Sequence, residues 1–158
     1  LIEEFSEFQK FNNDFVLMIL GEGEEKKKLI KLIHKKKLKD KIFLLGFKKD
    51  IFNYMKKSEI FILSSLWEEV GFVIVEAAMC NTYIISSDCP NGPREFLNNG
   101  KNGLLFKNNS NKSLLNTLNE YCKLDKNKIF NDKVLLKKSA RKYTIFQHYL
   151  VLNRLLKI

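Results

Sequence analysis

Two glutamates, Glu68 and Glu76, lie on either side of a short apolar stretch that begins with a glycine, "GFVIV". The preceding "EIFILS" predicts a strand, and the apolar residues 71–80 predict a helix. Ligands of parallel α/β sheets bind at the carboxyl ends of the strands, so the loop carrying Glu68 lies on the binding edge. The helix N-terminus, with its free N–H groups and partial positive charge, points at the same edge. This arrangement suits a diphosphate.

Glu76 lies about one and a half turns into that helix, and its side chain leans back toward the helix N-terminus. A carboxylate in this place can accept two hydrogen bonds from a vicinal diol such as ribose. A lone carboxylate in a helix that is apolar on nearly all sides is costly without a partner, which favours a ligand role. The spacing alone leaves an alternative open, because glutamates near a helix start are often an ordinary charge preference.

Alternating strand and helix patterns predict the scaffold that positions these residues. The predicted strands are residues 15–20, 41–46, 59–64, 82–87 and 103–106, and the predicted helices are residues 1–11, 24–38, 51–58, 71–80 and 93–97, with helix again from about residue 111. Asp50 is expected to cap one helix, and Pro93 suits the first turn of another. The order predicts an α/β, Rossmann-like parallel sheet with helices on both faces, followed by C-terminal helices.

The composition limits the possible partners. The chain of 158 residues fits one domain, and its net charge of +10 indicates an anionic partner such as nucleic acid, a phosphorylated small molecule or an acidic membrane surface. A lysine- and asparagine-rich composition bias is the alternative explanation of that charge. The three scattered cysteines lack disulfide or zinc spacing, which favours a reducing compartment. The longest apolar runs are far below the about 20 residues of a membrane span.

The stretch from Ser64 to Phe106 resembles the donor-binding half of the retaining, GT-B-fold glycosyltransferases of family 4, the glycosyl transferases group 1. Glu68 and Glu76 match the two acids of that family's motif, which closes in "EA". Residues 88–95 match its glycine-containing loop, and "GKNG" matches its last turn. Upstream, "FVLMILGEGEEKKKLIKLI" and "KIFLLGFKKD" are also similar to the family, so the resemblance covers nearly the whole chain.

The resemblance implies a role for each candidate residue. Glu68 would contact hydroxyls of the donor sugar at the catalytic position, and Glu76 would hold the ribose hydroxyls of a nucleotide-sugar. The backbone N–H groups near Gly71, Phe72 and Val73 would face the sugar and the diphosphate. The resemblance is less specific at two further residues. It implies that Gly21 would line the site after its strand and that Phe47 would lie by the base.

The resemblance further implies an enzyme that moves a hexose or N-acetylhexosamine from a nucleotide-sugar to a glycan or lipid-linked acceptor, as in polysaccharide biosynthesis. No metal or other cofactor and no nucleic acid partner are expected. We expect a cytoplasmic protein, with peripheral contact at the inner face of the membrane as a further expectation. Residues 1–158 would form the nucleotide-sugar-binding domain, lacking its first strand, the upstream phosphate-clamping Arg and Lys, and the N-terminal acceptor domain. We therefore expect this part alone to be inactive.

Two other functions remain open at this point. The basic stretch "EEKKKLIKLIHKKKLKDK" suits a non-catalytic α/β module for RNA or anionic surfaces, although it lacks the interleaved aromatics of RNA readers. A sugar-nucleotide epimerase would use the same GT-B fold. The chain also departs from the family pattern at two positions where the family often has glycine, which are Glu69 and Asn81 here. At position 81 asparagine can replace glycine, because it can adopt the left-handed conformation of a helix cap.

Overall fold

A computed structural model describes residues 1–69 and 71–156 of the chain. The strands of this part pair in parallel and form two sheets. In the first sheet, β1 (Leu17–Leu20) pairs with β2 (Ile42–Gly46). In the second, the order is β3 (Ile60–Leu63), β4 (Tyr83–Ser87) and β5 (Leu104–Phe106), so that β4 lies in the middle.

Helices connect the strands and cover them on both faces. They are α1 (Ile2–Phe8), α2 (Lys26–Lys35), α3 (Ile51–Lys57), α4 (Phe72–Met79), α5 (Pro93–Phe96), α6 (Ser113–Tyr121), α7 (Lys126–Ala140), a 3₁₀ turn (Arg141–Tyr143) and α8 (Ile145–Leu156). Helices α1, α2 and α6 share one apolar cluster, and α3, α4, α5 and α7 share a second. Tyr83 and Ile85 of β4 belong to the first cluster and Ile84 to the second, as the alternation of a strand requires. The predicted α/β fold with helices on both faces is confirmed.

Local signals in the sequence act as predicted. Asp50 caps α3, since its side chain accepts a hydrogen bond from the Asn53 backbone N–H at 3.3 Å. Pro93 occupies the first turn of α5. Asn81, after α4, has a φ of 63°, so asparagine does take the left-handed position there.

A network of polar contacts anchors two buried tyrosines, Tyr83 and Tyr121, and reaches the exposed side chains of Lys128 and Glu59. The Tyr83 hydroxyl donates to buried Asp132 at 3.2 Å, and Lys128 Nζ donates to the same carboxylate at 2.5 Å. The Tyr121 hydroxyl donates to Glu59 at 2.8 Å. Burial, assisted by the neighbouring carboxylates, raises the pKa of both phenols, so they remain neutral donors at physiological pH. The network ties β4 to α7 and α6 to the start of β3.

Two predicted burials differ from the structure. The continuous apolar run of residues 15–20 predicts a strand buried on both faces. In β1, however, only Leu17 is buried, because within the described residues β1 pairs on one edge only. The apolar positions 29, 30, 32 and 33 of the basic helix predict that Ile30 faces inward from α2, but its side chain is 40% exposed. Helix α8 contains no buried residue, so its large apolar side chains face outward from this part of the chain.

Candidate functional site

Helix α4 opens toward the carboxyl end of the three-stranded sheet. Its N-cap, Gly71, has φ 67° and ψ 48°, and its carbonyl accepts from the Ile74 N–H at 2.9 Å. A Cβ on Gly71 would meet only ordinary contacts of 3.7 to 3.9 Å, so the left-handed backbone, and not lack of space, favours glycine here. The N–H groups of Phe72 and Val73 lie in the first turn and have no acceptor within the helix.

Glu68 lies against this helix N-terminus, as the sequence predicts. Its Cγ and Cβ are 3.8 and 3.9 Å from the position that a Cβ on Gly71 would occupy. Glu68 is half-buried, whereas Trp67 beside it is 62% exposed. Trp67 is therefore not a core residue, and its ring is open to solvent at the edge of the site.

Glu76 lies in the second turn of α4, between buried neighbours. Ile74, Val75, Ala77 and Ala78 are buried, and Glu76 itself is half-buried. Within residues 1–69 and 71–156, the Glu76 carboxylate forms neither an ion pair nor a hydrogen bond with another side chain. The carboxylate therefore has no ion-pair partner within this part of the chain, which keeps it available for a ligand.

A second group of candidate residues lies at the carboxyl ends of β1 and β2. The Gly21 N–H donates to the Gly46 carbonyl at 2.9 Å, which places Gly21 beside the strand end that leads into Phe47. Phe47 is 71% exposed. A shallow cavity of about 170 Å³ lies here, lined among others by Gly21, Glu22 and Lys26. Glu22 and Lys26 form an ion pair at 3.2 Å across its rim.

The structure thus brings Glu68, Gly71, Phe72 and Val73 together at one helix end, and it places Gly21 and Phe47 at the ends of the other two strands. Both groups lie at carboxyl ends of parallel strands, where ligands of such sheets bind. The ligand-binding roles of the individual residues stay predictions.

Two residues near the site were missed by sequence reasoning. Ser87, the last residue of β4, donates its hydroxyl to the Ser65 carbonyl at 2.6 Å, and the Asn108 amide donates to the same oxygen at 3.1 Å. A serine that ends a buried apolar strand is a signal that could have identified Ser87. Asn108 lies in the polar run "KNNSNK", where nothing distinguishes it from its neighbours.

Arg94, in α5, is a candidate source of positive charge for the site. Its side chain is exposed, and its Nε donates to Asp88 Oδ1 at 2.9 Å, with a second contact between Nη2 and Oδ2. Asp88 directly follows β4, so the pair braces the loop between β4 and α5. Part of the charge of Arg94 is therefore already matched by a carboxylate.

Neither a metal cluster nor a membrane-spanning helix is found among the described residues. Residues 1–69 and 71–156 contain no group of three or more His, Cys, Asp and Glu side chains that could hold a metal ion. Within the same part of the chain, every helix is too short or too polar to cross a bilayer. That no metal or other cofactor is needed stays a prediction.

Known proteins are similar to this chain in sequence. An uncharacterized glycosyltransferase of Methanocaldococcus jannaschii is 35% identical over 148 residues, which cover 85% of this chain and 36% of the relative. An N-acetylgalactosamine-N,N'-diacetylbacillosaminyl-diphospho-undecaprenol 4-alpha-N-acetylgalactosaminyltransferase of Campylobacter jejuni is 33% identical, over 87% of this chain and 41% of the relative. The chain thus spans about two fifths of the length of these relatives.

A solved structure shows the same fold. HepE of Anabaena, crystallised in complex with UDP, superimposes with a TM-score of 0.84 at 21% identity, over 100% of this chain and 44% of that one. The family model of the glycosyl transferases group 1 matches residues 1–143. This match covers most of the chain and agrees with the relatives and the fold, and the chain therefore belongs to the glycosyl transferases group 1.

Proposed function

We propose that this chain is the nucleotide-sugar-binding domain of a retaining glycosyltransferase that transfers a hexosyl or N-acetylhexosaminyl group. The observation that carries the proposal is the position of Glu76. It is a half-buried carboxylate in the second turn of an otherwise largely buried helix, and that helix opens at the ligand-binding edge with Glu68 against its N-terminus. A half-buried carboxylate without an ion-pair partner does not stabilise the fold, so its position is better explained by a ligand.

The geometry suits a nucleotide-sugar in the following way. The free N–H groups of Phe72 and Val73 and the partial positive charge of the α4 N-terminus stabilise the diphosphate. Glu76 accepts hydrogen bonds from the ribose diol, and Glu68 binds hydroxyls of the sugar. As the glycosidic bond to the diphosphate breaks, the helix N-terminus stabilises the charge that develops on the leaving nucleoside diphosphate. Catalysis by this domain is then mainly positioning and electrostatic stabilisation, without a metal.

The base of the nucleotide belongs at the other end of the site. The cavity beside Gly21 and the exposed ring of Phe47 lie at the ends of β1 and β2. An exposed aromatic ring at a strand end offers a stacking surface for a base. The Anabaena protein of similar fold was crystallised with UDP, which makes uridine the first nucleoside to test.

The acceptor and the rest of the enzyme lie outside the chain. The Campylobacter relative is named for a diphospho-undecaprenol acceptor, and this supports a glycan or lipid-linked acceptor here and a cytoplasmic enzyme at the inner face of the membrane. Among the described residues, β1 pairs only with β2, and β3 pairs only with β4. These open edges, with the length of the relatives, support an additional strand and an acceptor domain in the complete protein.

Binding of nucleotides tests the donor role. We expect saturable binding of one nucleoside diphosphate among UDP, GDP and ADP, measured by calorimetry, and a loss of at least about tenfold in affinity for Glu76→Ala, because a charge-assisted hydrogen bond to the ligand is removed. Glu3→Ala, which changes an exposed glutamate of α1, is the matched control and should bind as the unchanged protein does. Equal affinity of the Glu76→Ala variant would contradict the proposal.

The alternative of a nucleic-acid module makes the opposite prediction. Binding of an RNA oligonucleotide that weakens steeply with salt and is unaffected by Glu76→Ala would favour that module. Sugar transfer and its stereochemistry are tested with the complete enzyme, where the anomeric configuration of the product, determined by NMR, distinguishes retention from inversion. An epimerase would convert the nucleotide-sugar without any acceptor.

A further inference from the structure

The loop that carries Glu68 is attached to the sheet at one main-chain oxygen. The Ser65 carbonyl, two residues after β3, accepts the Ser87 hydroxyl at 2.6 Å and the Asn108 amide at 3.1 Å. Ser87 is fully buried at the end of β4, and Asn108 is half-buried two residues after β5. The Asn108 amide also lies 3.4 Å from the Leu66 carbonyl. The last residue of β4 and a residue just after β5 thus hold the start of this loop.

The two donors saturate their acceptor. A carbonyl oxygen has two lone pairs, and the Ser87 and Asn108 donors use both. Ser65 lies three residues before Glu68, whose Cβ and Cγ rest near Gly71 at the other end of the loop. The position of the Glu68 carboxylate relative to α4 therefore depends on where the Ser65 carbonyl is held.

Glu76 is positioned by different contacts. It belongs to α4, whose neighbouring side chains Ile74, Val75, Ala77 and Ala78 are buried in the second apolar cluster. Ser65, Ser87 and Asn108 do not belong to that cluster, so we expect loss of the bonds to Ser65 to change the loop and to leave this helix packed. The two acids are therefore positioned independently. Glu68, proposed to contact the sugar, is held through the loop, and Glu76, proposed to contact the ribose, is held through the helix.

We infer that Asn108 is a positioning residue that, together with Ser87, sets Glu68 for binding the sugar of the donor. The inference rests on the proposed function. Asn108 acts through Glu68, so its removal weakens the affinity for a nucleotide-sugar and spares the affinity for the corresponding nucleoside diphosphate. If the role of Asn108 were purely structural, its removal would lower the affinity for both ligands equally or for neither.

The test compares Asn108→Ala and Asn108→Asp with the unchanged protein. Aspartate has the size of asparagine but no N–H to donate at neutral pH, so it removes the hydrogen bond without opening a cavity. The ligands are the pairs UDP and UDP-glucose, GDP and GDP-mannose, and ADP and ADP-glucose, of which the pair bound by the unchanged protein is used. We expect both variants to bind the nucleotide-sugar about fivefold more weakly and the diphosphate unchanged.

A double-mutant cycle with Glu68→Ala shows whether the two residues act together. We expect Asn108→Ala to have no further effect in the Glu68→Ala protein. Asn116→Ala, an exposed asparagine on α6, is the matched control, and thermal unfolding verifies that every variant is folded.

The outcomes separate this inference from the proposed function. If the unchanged protein binds none of the nucleotides or nucleotide-sugars, the proposed function fails, and the inference fails with it. If it binds them but the Asn108 variants keep the original ratio of the two affinities, the inference alone is overturned. Additive effects of Asn108→Ala and Glu68→Ala would also overturn it.

Discussion

The two sheets of this domain differ in how completely they are buried. All five residues of β4 are buried, whereas in β1 only Leu17 is fully buried. The reason is topological, because β4 has a strand on each side and a helical layer on each face, while β1 and β2 share a single ladder among the described residues. The three-stranded sheet therefore carries the greater share of the apolar burial.

The difference corresponds to a division within the candidate site. Glu68, Gly71 and Glu76 belong to the buried half, where α4 packs on α7 and β4. Gly21 and Phe47 belong to the two-stranded half, which is more exposed and contains the cavity. Sites on well-packed elements hold their geometry most accurately, so the buried half suits the contacts to sugar and diphosphate.

The largest expected effect on stability comes from a substitution that leaves a cavity in the buried half, compared with the same substitution in the other half. Ile84 in β4 is 0% exposed, and we expect Ile84→Ala to lower the free energy of unfolding by about 3 kcal/mol. Ile19, half-buried in β1, is the matched position, and Ile19→Ala should cost only about 1 kcal/mol, because less apolar surface is lost. Urea denaturation measures both values. Equal losses would show that the two halves are equally important for stability.

Substitution of one glycine in each half compares the same two regions, with a smaller expected change in stability. A Cβ on Gly103 would lie 2.8 Å from the Ile84 carbonyl oxygen and 3.1 Å from Leu97 Cδ2. We expect Gly103→Ala to destabilise by about 2 kcal/mol, since backbone must shift to relieve the overlap. Gly23, after β1, has open space around it, so Gly23→Ala should change stability by less than about 0.5 kcal/mol. Thermal unfolding of the two variants tests the difference, and a stable Gly103→Ala protein would contradict it.

Ion pairs give the smallest effect. Lys128 donates to Asp132, which is 2% exposed, and we expect Lys128→Ala to cost about 1 kcal/mol because a buried carboxylate loses a donor. Lys26 pairs with the exposed Glu22 in the other half, and Lys26→Ala should cost less than about 0.5 kcal/mol. Salt should diminish the Lys26 effect and leave most of the Lys128 effect, as measured by urea denaturation at low and high ionic strength.

Several features were predictable because they depend on local sequence. The Asp50 cap, the Pro93 helix start and the left-handed Asn81 each follow from the chemistry of one residue and its immediate neighbours. The alternation of apolar strands and helices likewise predicted a parallel α/β fold, since each pattern is periodic within a few residues. The position of Glu68 at the α4 N-terminus followed from the order of strand, loop and helix.

Other features depended on residues far apart in the chain. The hydrogen bonds from Ser87 and Asn108 to Ser65 span 22 and 43 residues, and no local pattern marks Asn108. The partial burial of β1 and the exposure of Ile30 depend on which strands and helices lie beside them. The sequence by itself determined the elements, their caps and the two acids, because these depend on nearest neighbours along the chain. Only the tertiary structure decided which strand edges pair and which side chains hold the Glu68 loop, because those contacts form between segments that the fold brings together.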